Sequence, residues 1–124
     1  MVLLASACGS GDGDPAVWAV DPTSPTTESS QTFTALVMRI GCAGGRTSEV
    51  FDPNIDADDD EIIITFTVAH TSGDQECPSN AAVPFVVELD EPIGDRRLVD
   101  GACRSGEAPA RLCDPNDPIW VPDP

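Results

Sequence analysis

Residues 52–61 read Asp-Pro-Asn-Ile-Asp-Ala-Asp-Asp-Asp-Glu, a dense run of oxygen-bearing side chains. Calcium takes six to eight oxygen ligands, and closely spaced carboxylates and amides can deliver them. As a twelve-position calcium loop starting at Asp52, the run has donors at the first, third and fifth positions: Asp52, Asn54 and Asp56. The sixth position, where the turn wants glycine, is Ala57. The twelfth, where a bidentate glutamate belongs, is Ile63. The flanks also alternate like strands, so a helix–loop–helix calcium site is excluded. An irregular calcium loop built from Asp52, Asn54, Asp56, Asp58, Asp59 and Asp60 stays open as an alternative. The competing reading is a solvated acidic turn that keeps a neighbouring strand edge from pairing.

His70 is the one histidine, and Thr71, Ser72 and Asp74 follow it. A nucleophile–base pair of Ser72 and His70 needs an orienting third group and an oxyanion hole. Neither is identifiable. No Gly-x-Ser-x-Gly, His-Glu-x-x-His or phosphate-cradling glycine loop occurs. The chain therefore reads as a non-enzyme, with a small hydrolase built on His70 as the outlying alternative. Arg96 and Arg97, beside Asp95 and Asp100, could grip a carboxylate or phosphate in bidentate fashion. In so acidic a chain, pairing with its own carboxylates is the simpler expectation.

Five cysteines are many for a chain of 124 residues. No Cys-x-x-Cys occurs, and the gaps do not match zinc-finger or ribbon spacing. With Cys8 set aside, Cys42, Cys77, Cys103 and Cys113 form an even set, which in a small exported domain reads as two disulfides. Four cysteines allow three connectivities. The favoured one is Cys42–Cys77 with Cys103–Cys113, the latter closing a short loop.

Cys8 ends an apolar and small-residue stretch, Met1-Val2-Leu3-Leu4-Ala5-Ser6-Ala7, and Gly9-Ser10-Gly11-Asp12-Gly13 follows it. The segment Leu4-Ala5-Ser6-Ala7-Cys8 resembles the lipobox of bacterial lipoproteins. Ala7 fills the small position before the cysteine. Ala5 stands where leucine is common, with Leu4 one place further out. The resemblance implies that Cys8 carries fatty acid such as palmitate. It also implies that the protein is extracytoplasmic and held at the cell membrane by that lipid. Seven residues precede Cys8 and none is charged, so residues 1–7 read as the shortened end of a signal peptide. Further along, VPFVVELDEPIGDRRLVDGAC (83–103) resembles a strand–turn–strand segment of small exported β-domain proteins of high-G+C bacteria, which implies no particular activity.

Composition narrows the partners. Twenty-two acidic residues face six arginines and no lysine, for a net charge of −16. Nucleic acid is excluded, because its phosphates are bound by neutralising them with Lys and Arg. Flat adsorption on anionic lipid is excluded for the same reason. No run approaches the ~18 apolar residues of a spanning helix.

The elements that must position these residues are strands. Ile62, Ile64, Phe66 and Val68 alternate with Thr65 and Thr67, and Val83, Phe85, Val87 and Leu89 repeat the pattern. Leu36, Met38, Ile40 and Cys42 share one face of a further candidate. Shorter candidates lie at 48–51, 97–99 and 119–121. Pro84 demotes its strand to an edge or bulge. Residues 9–31, rich in Gly, Asp, Pro, Ser and Thr, read as a disordered tether in which Trp18 alone touches the domain or the membrane interface. The expectation is an all-β protein, a small immunoglobulin-like sandwich or open barrel of about five to seven strands. Its organisation is residues 1–7 as signal remnant, 8–31 as lipid-anchor cysteine and flexible linker, and 32–124 as one disulfide-stapled domain.

Overall fold

In the computed structural model, residues 13–41, 47, 49–70, 81–113 and 119–122 are described. They contain β1 (Asp14–Val20), β2 (Thr32–Arg39), β3 (Asn54–Ala57), β4 (Glu61–Val68), β5 (Val83–Glu88) and β6 (Arg97–Asp100). A short helix α1 (Gly101–Ser105) and a 3-10 turn (Ala110–Leu112) follow. The small all-β domain expected from the sequence is what forms. Its single curled sheet runs β3-β4-β1-β2-β5, with β6 beside β4. All pairings are antiparallel except β4 with β6, which run parallel.

β4 is the strand against which the rest is organised. Its β-branched and aromatic residues suit a pleated, half-buried surface, and Ile62, Ile64, Phe66 and Val68 are each at most 1% exposed. Val87 and Leu89 are buried as their alternation predicts, and Val83 and Phe85 are half-buried beside them. Pro84 sits exposed on β5 opposite Leu36. Leu89, in two-residue step with Val87, Phe85 and Val83, donates its N–H to Gln31, so the missing N–H of Pro84 belongs to the alternate set on the open edge. In β2, the residues turned toward the main core are Phe33, Ala35, Val37 and Arg39. Met38 and Ile40 lie on the reverse face, packed against Val17, Ala102 and Ala108. The sheet is thus covered on both sides near its centre. Of the shorter candidates, 97–99 lies within β6, whereas 48–51 and 119–121 supply only the isolated bridges Val50–Val68 and Leu98–Trp120.

The expected tether is the main correction. Residues 14–20 form β1, which lies between β2 and β4 and pairs with both. From Ala16 to Trp18 the strand is buried on both faces, so its apolar run lacks the alternation that marks a half-exposed strand. Trp18 is 5% exposed. Its indole N–H donates to the Ile64 carbonyl at 2.9 Å, and its ring packs edge-on to Phe66 with centroids 5.9 Å apart. Residues 21–31 are also fastened down. Ile93 and Gly94 donate backbone N–H bonds to the carbonyls of Ser30 and Glu28, and the Gln31 amide donates to the carbonyls of Leu89 and Asp90.

α1 is the second departure. Where the sequence shows no helical period, Asp100 caps a short helix, its carboxylate accepting the Ala102 N–H at 2.9 Å. Gly101 is required where the helix crosses β4: a Cβ there would stand 2.9 Å from the Thr65 Cβ and closer still to its hydroxyl. Gly106 ends the helix in the left-handed region at φ 87°.

Candidate functional site

The acidic run is not one continuous loop. Its middle is β3, a strand paired with Ile62–Thr65, and only residues 58–60 turn. The loop was expected because six acids and a proline look unfit for a strand. What overrides this is the hairpin: Ile55 pairs with Ile64 and Ala57 with Ile62. Extended backbone carries Asn54 and Asp58 about 13 Å apart at ~3.3 Å per residue. Oxygens ligating one calcium at 2.3–2.6 Å must lie within about 5 Å of one another. Asp52, Asn54, Asp56, Asp58, Asp59 and Asp60 are all exposed, and among the described residues no three His, Cys, Asp or Glu side chains converge on a metal position. Asp58 is committed to the turn. It accepts the N–H groups of Asp60 at 2.7 Å and Glu61 at 2.8 Å, and these bonds, that of Asp60 foremost, hold its carboxyl below the usual range. Millimolar calcium should accordingly leave the melting temperature unchanged; a concentration-dependent rise would restore the metal reading.

His70 lies at the end of β4, where β1 begins and β2 ends. Its Nδ1 is 3.1 Å from Asp14 Oδ2, and the histidine side chain is 71% exposed. Ser72, the expected nucleophile, lies outside the described residues. Asp14 also takes the guanidinium of Arg39 at 2.5 Å. That arginine is 4% exposed and also donates to the Ala69 carbonyl. The bond from Arg39 is the main reason that the Asp14 carboxyl titrates below its ordinary value; desolvation opposes the shift and His70 adds to it. Thr47 closes the group, accepting the Arg39 N–H at 3.3 Å and donating to the Ala81 carbonyl. The trio Asp14–Arg39–His70 therefore ties three strand ends together. The sequence reading missed Arg39, because the Leu36–Met38–Ile40 pattern places it on the opposite face of its strand; the structure buries that face, and a buried guanidinium demands a partner.

Arg96 and Arg97 do not converge on an anion. Arg96 donates to the carbonyls of Ile93 and Pro92 in its own loop. Arg97 reaches Glu61 at 3.4 Å, and Arg104 grips the same carboxylate through two bonds of 3.1 and 2.9 Å. The Arg104 bonds are the chief cause of the lowered Glu61 titration. Two open clefts, of ≈ 400 and ≈ 280 Å³, lie at this end; their walls include Asp60, Asp95 and Arg97 in one, and Asp58, Asp59 and Glu91 in the other. The smaller is walled mainly by polar groups, unlike a small-molecule site, and the larger mixes its charges with Val121 and Pro122.

Of the five cysteines, Cys103 and Cys113 are described, and they form the expected disulfide with Cα atoms 5.6 Å apart. Cys8, Cys42 and Cys77 lie outside the described residues. The bridge pins α1 and the 3-10 turn over the reverse face of the sheet, where Cys103 and Cys113 pack against Val17, Ala102 and Ala108. Closing a loop of sequence separation 10 restricts the unfolded chain by about 2–3 kcal/mol. A variant carrying Cys103→Ala and Cys113→Ala should be less stable by about that amount in denaturant titration. Unchanged stability would mean that the bridge is dispensable.

The fold and its polar clusters define a small acidic all-β domain stapled by a disulfide. Comparison with protein-family models, with curated proteins and with solved structures finds no match for this chain.

Proposed function

We propose that this protein is a lipid-anchored extracytoplasmic domain that binds or supports a partner at the cell surface without catalysing a reaction. The observation that carries the reading is the Cys103–Cys113 disulfide, since such bridges form and persist in oxidising compartments. The Leu4-Ala5-Ser6-Ala7-Cys8 segment adds the anchor. A single acyl chain holds weakly, so stable attachment requires the two or three chains borne by bacterial lipoproteins. The polar clusters around Asp14 and Glu61 support the non-catalytic part: each is spent on holding strand ends or loops together. The test is palmitate labelling of the protein expressed with its native upstream coding sequence. Label is expected in the membrane fraction and absent after Cys8→Ser. Unlabelled protein in the soluble fraction would overturn the reading.

A further inference from the structure

β1 runs from the end of the domain that holds Asp14 to the end that holds Val20, and the remaining strands sort the charges between those two ends. β2 and β4 finish beside the start of β1, as the pairings of Ala16 with Arg39 and of Asp14 with Val68 require. β4 and β6 begin at the far end, where Glu61 is opposite Arg97, and β5 finishes there, with Glu88 opposite Thr32. The Asp58–Asp60 turn and the β5–β6 loop therefore lie together at the far end. Asp58, Asp59, Asp60, Asp90, Glu91 and Asp95 are all exposed there. At the near end, among the described residues, the Asp14 carboxylate is matched by the buried Arg39 guanidinium. Glu49, whose carbonyl accepts the Ala69 N–H, is also exposed there.

We infer that the lipid on Cys8 seats the domain on the bilayer through the end holding Gly13, Asp14 and Glu49, with the acidic end directed away from the membrane. This rests on the lipid-anchor reading above. The argument is one of lengths and charge. Five residues, 9–13, separate Cys8 from the start of β1. Fully extended, the six steps from Cys8 to Asp14 span at most about 21 Å. The eight residues of β4 run the height of the sheet, about 26 Å. The chain is therefore too short to fold back along the domain and lay the acidic end on the lipid. Electrostatics acts in the same direction, because at the far end six exposed carboxylates outnumber Arg96 and Arg97, whereas the near end sets Glu49 beside the Asp14–Arg39 pair, so the anionic leaflet surface repels the far end more strongly. Had residues 9–31 been a free tether, its roughly 25 Å coil would have left the domain free to turn.

Carboxyl footprinting with a carbodiimide and glycine ethyl ester tests the orientation. The lipidated full-length protein is placed on vesicles of phosphatidylethanolamine and phosphatidylglycerol and compared with soluble Cys8→Ser. On vesicles, modification of Glu49 is expected to fall several-fold while Asp59 and Asp95 react as in solution. Inserting a ~20-residue Gly-Ser segment after Gly11, whose coil reaches about 25–30 Å with the native residues, should restore Glu49. A second arm replaces residues 1–8 with a hexahistidine segment held by nickel-chelating lipid, so the geometry is read without acylation. Protection of Asp59 and Asp95, or unprotected Glu49 on the short tether, overturns the orientation. Failure of the native chain to float with vesicles, with the expected pattern in the second arm, overturns the anchor and leaves the orientation standing.

Discussion

A chain beginning at residue 21 is expected to show no cooperative unfolding transition, whereas a tether could be removed without consequence. Deleting 1–20 takes away β1, and with it Ala16, Val17 and Trp18, all buried. It also strips the hydrogen-bonding partner from β2 along Ala35 to Arg39 and from β4 at Phe66 to Val68. Two strand edges would then face water inside what had been a continuous sheet. Trp18→Ala isolates part of this effect. Loss of a buried aromatic side chain costs about 3–5 kcal/mol, against a total domain stability of about 5–15 kcal/mol. The tryptophan also donates its indole proton to Ile64 and contacts Phe33 and Phe66. The truncated chain should lack near-ultraviolet dichroism and a sharp melt, and Trp18→Ala should melt far below the parent. A sharp transition at the parent temperature in the truncated chain would mean that β1 is peripheral.

What the sequence revealed and what it hid separate along physical lines. β4 and β5 were legible because one face of each is buried and the other is not, so apolar residues fall at every second position. β1 was hidden by the same logic turned round. With β2 and β4 on its flanks, the main core on one face and α1 on the other, every position from Ala16 to Trp18 is buried and no alternation survives. The flanking Gly13 and Asp14-Pro15 then read as linker composition. α1 has five residues, too few to show helical periodicity. The acidic run was identified correctly as exposed but was assigned to a loop, because Asp and Asn are depleted in strands and the hairpin pairing with Ile62–Thr65 overrides that local propensity. The even set of cysteines left beside Cys8 and the short 103–113 gap pointed to the Cys103–Cys113 bridge, whereas nothing local pointed to the ties from Asp14 to Arg39 and His70, which join segments 25 and 56 residues apart.

Stability should rise on mild acidification, and Asp100 supplies a specific part of that rise. This carboxylate lies where β6 gives way to α1 beside β1, and the residue is 4% exposed. One oxygen accepts the Trp18 N–H at 3.0 Å and the other the Ala102 N–H at 2.9 Å. Burial pushes its titration up to about 6, overcoming the backbone donors of Trp18, Ala102 and Cys103, which favour the ionised form. The unfolded chain titrates near 3.8, so between these values the native state binds the proton more tightly. The ionised group thus opposes folding in full above pH 6, and this opposition is relieved as pH falls toward 4. Relative to pH 7.5, the gain is about 1.4 kcal/mol at pH 5 and about 3 kcal/mol once both states are protonated. Asp14, Asp58 and Glu61 titrate low in the native state, so their contributions are present above pH 4 and lost below it. The stability maximum should accordingly fall between pH 4 and 6. Reduced repulsion in a chain of charge −16 also favours the acid side, and Asp100→Asn separates the two effects. That variant should keep the repulsion-driven slope but lose the additional 1.4 kcal/mol, about 5–10 °C in melting temperature, between pH 7.5 and 5. Asp100→Ala should be less stable at every pH, because it leaves the buried Trp18 and Ala102 donors without their acceptor at about 1–3 kcal/mol each. Parallel pH profiles for the parent and Asp100→Asn would show that the native carboxyl titrates as an ordinary aspartate.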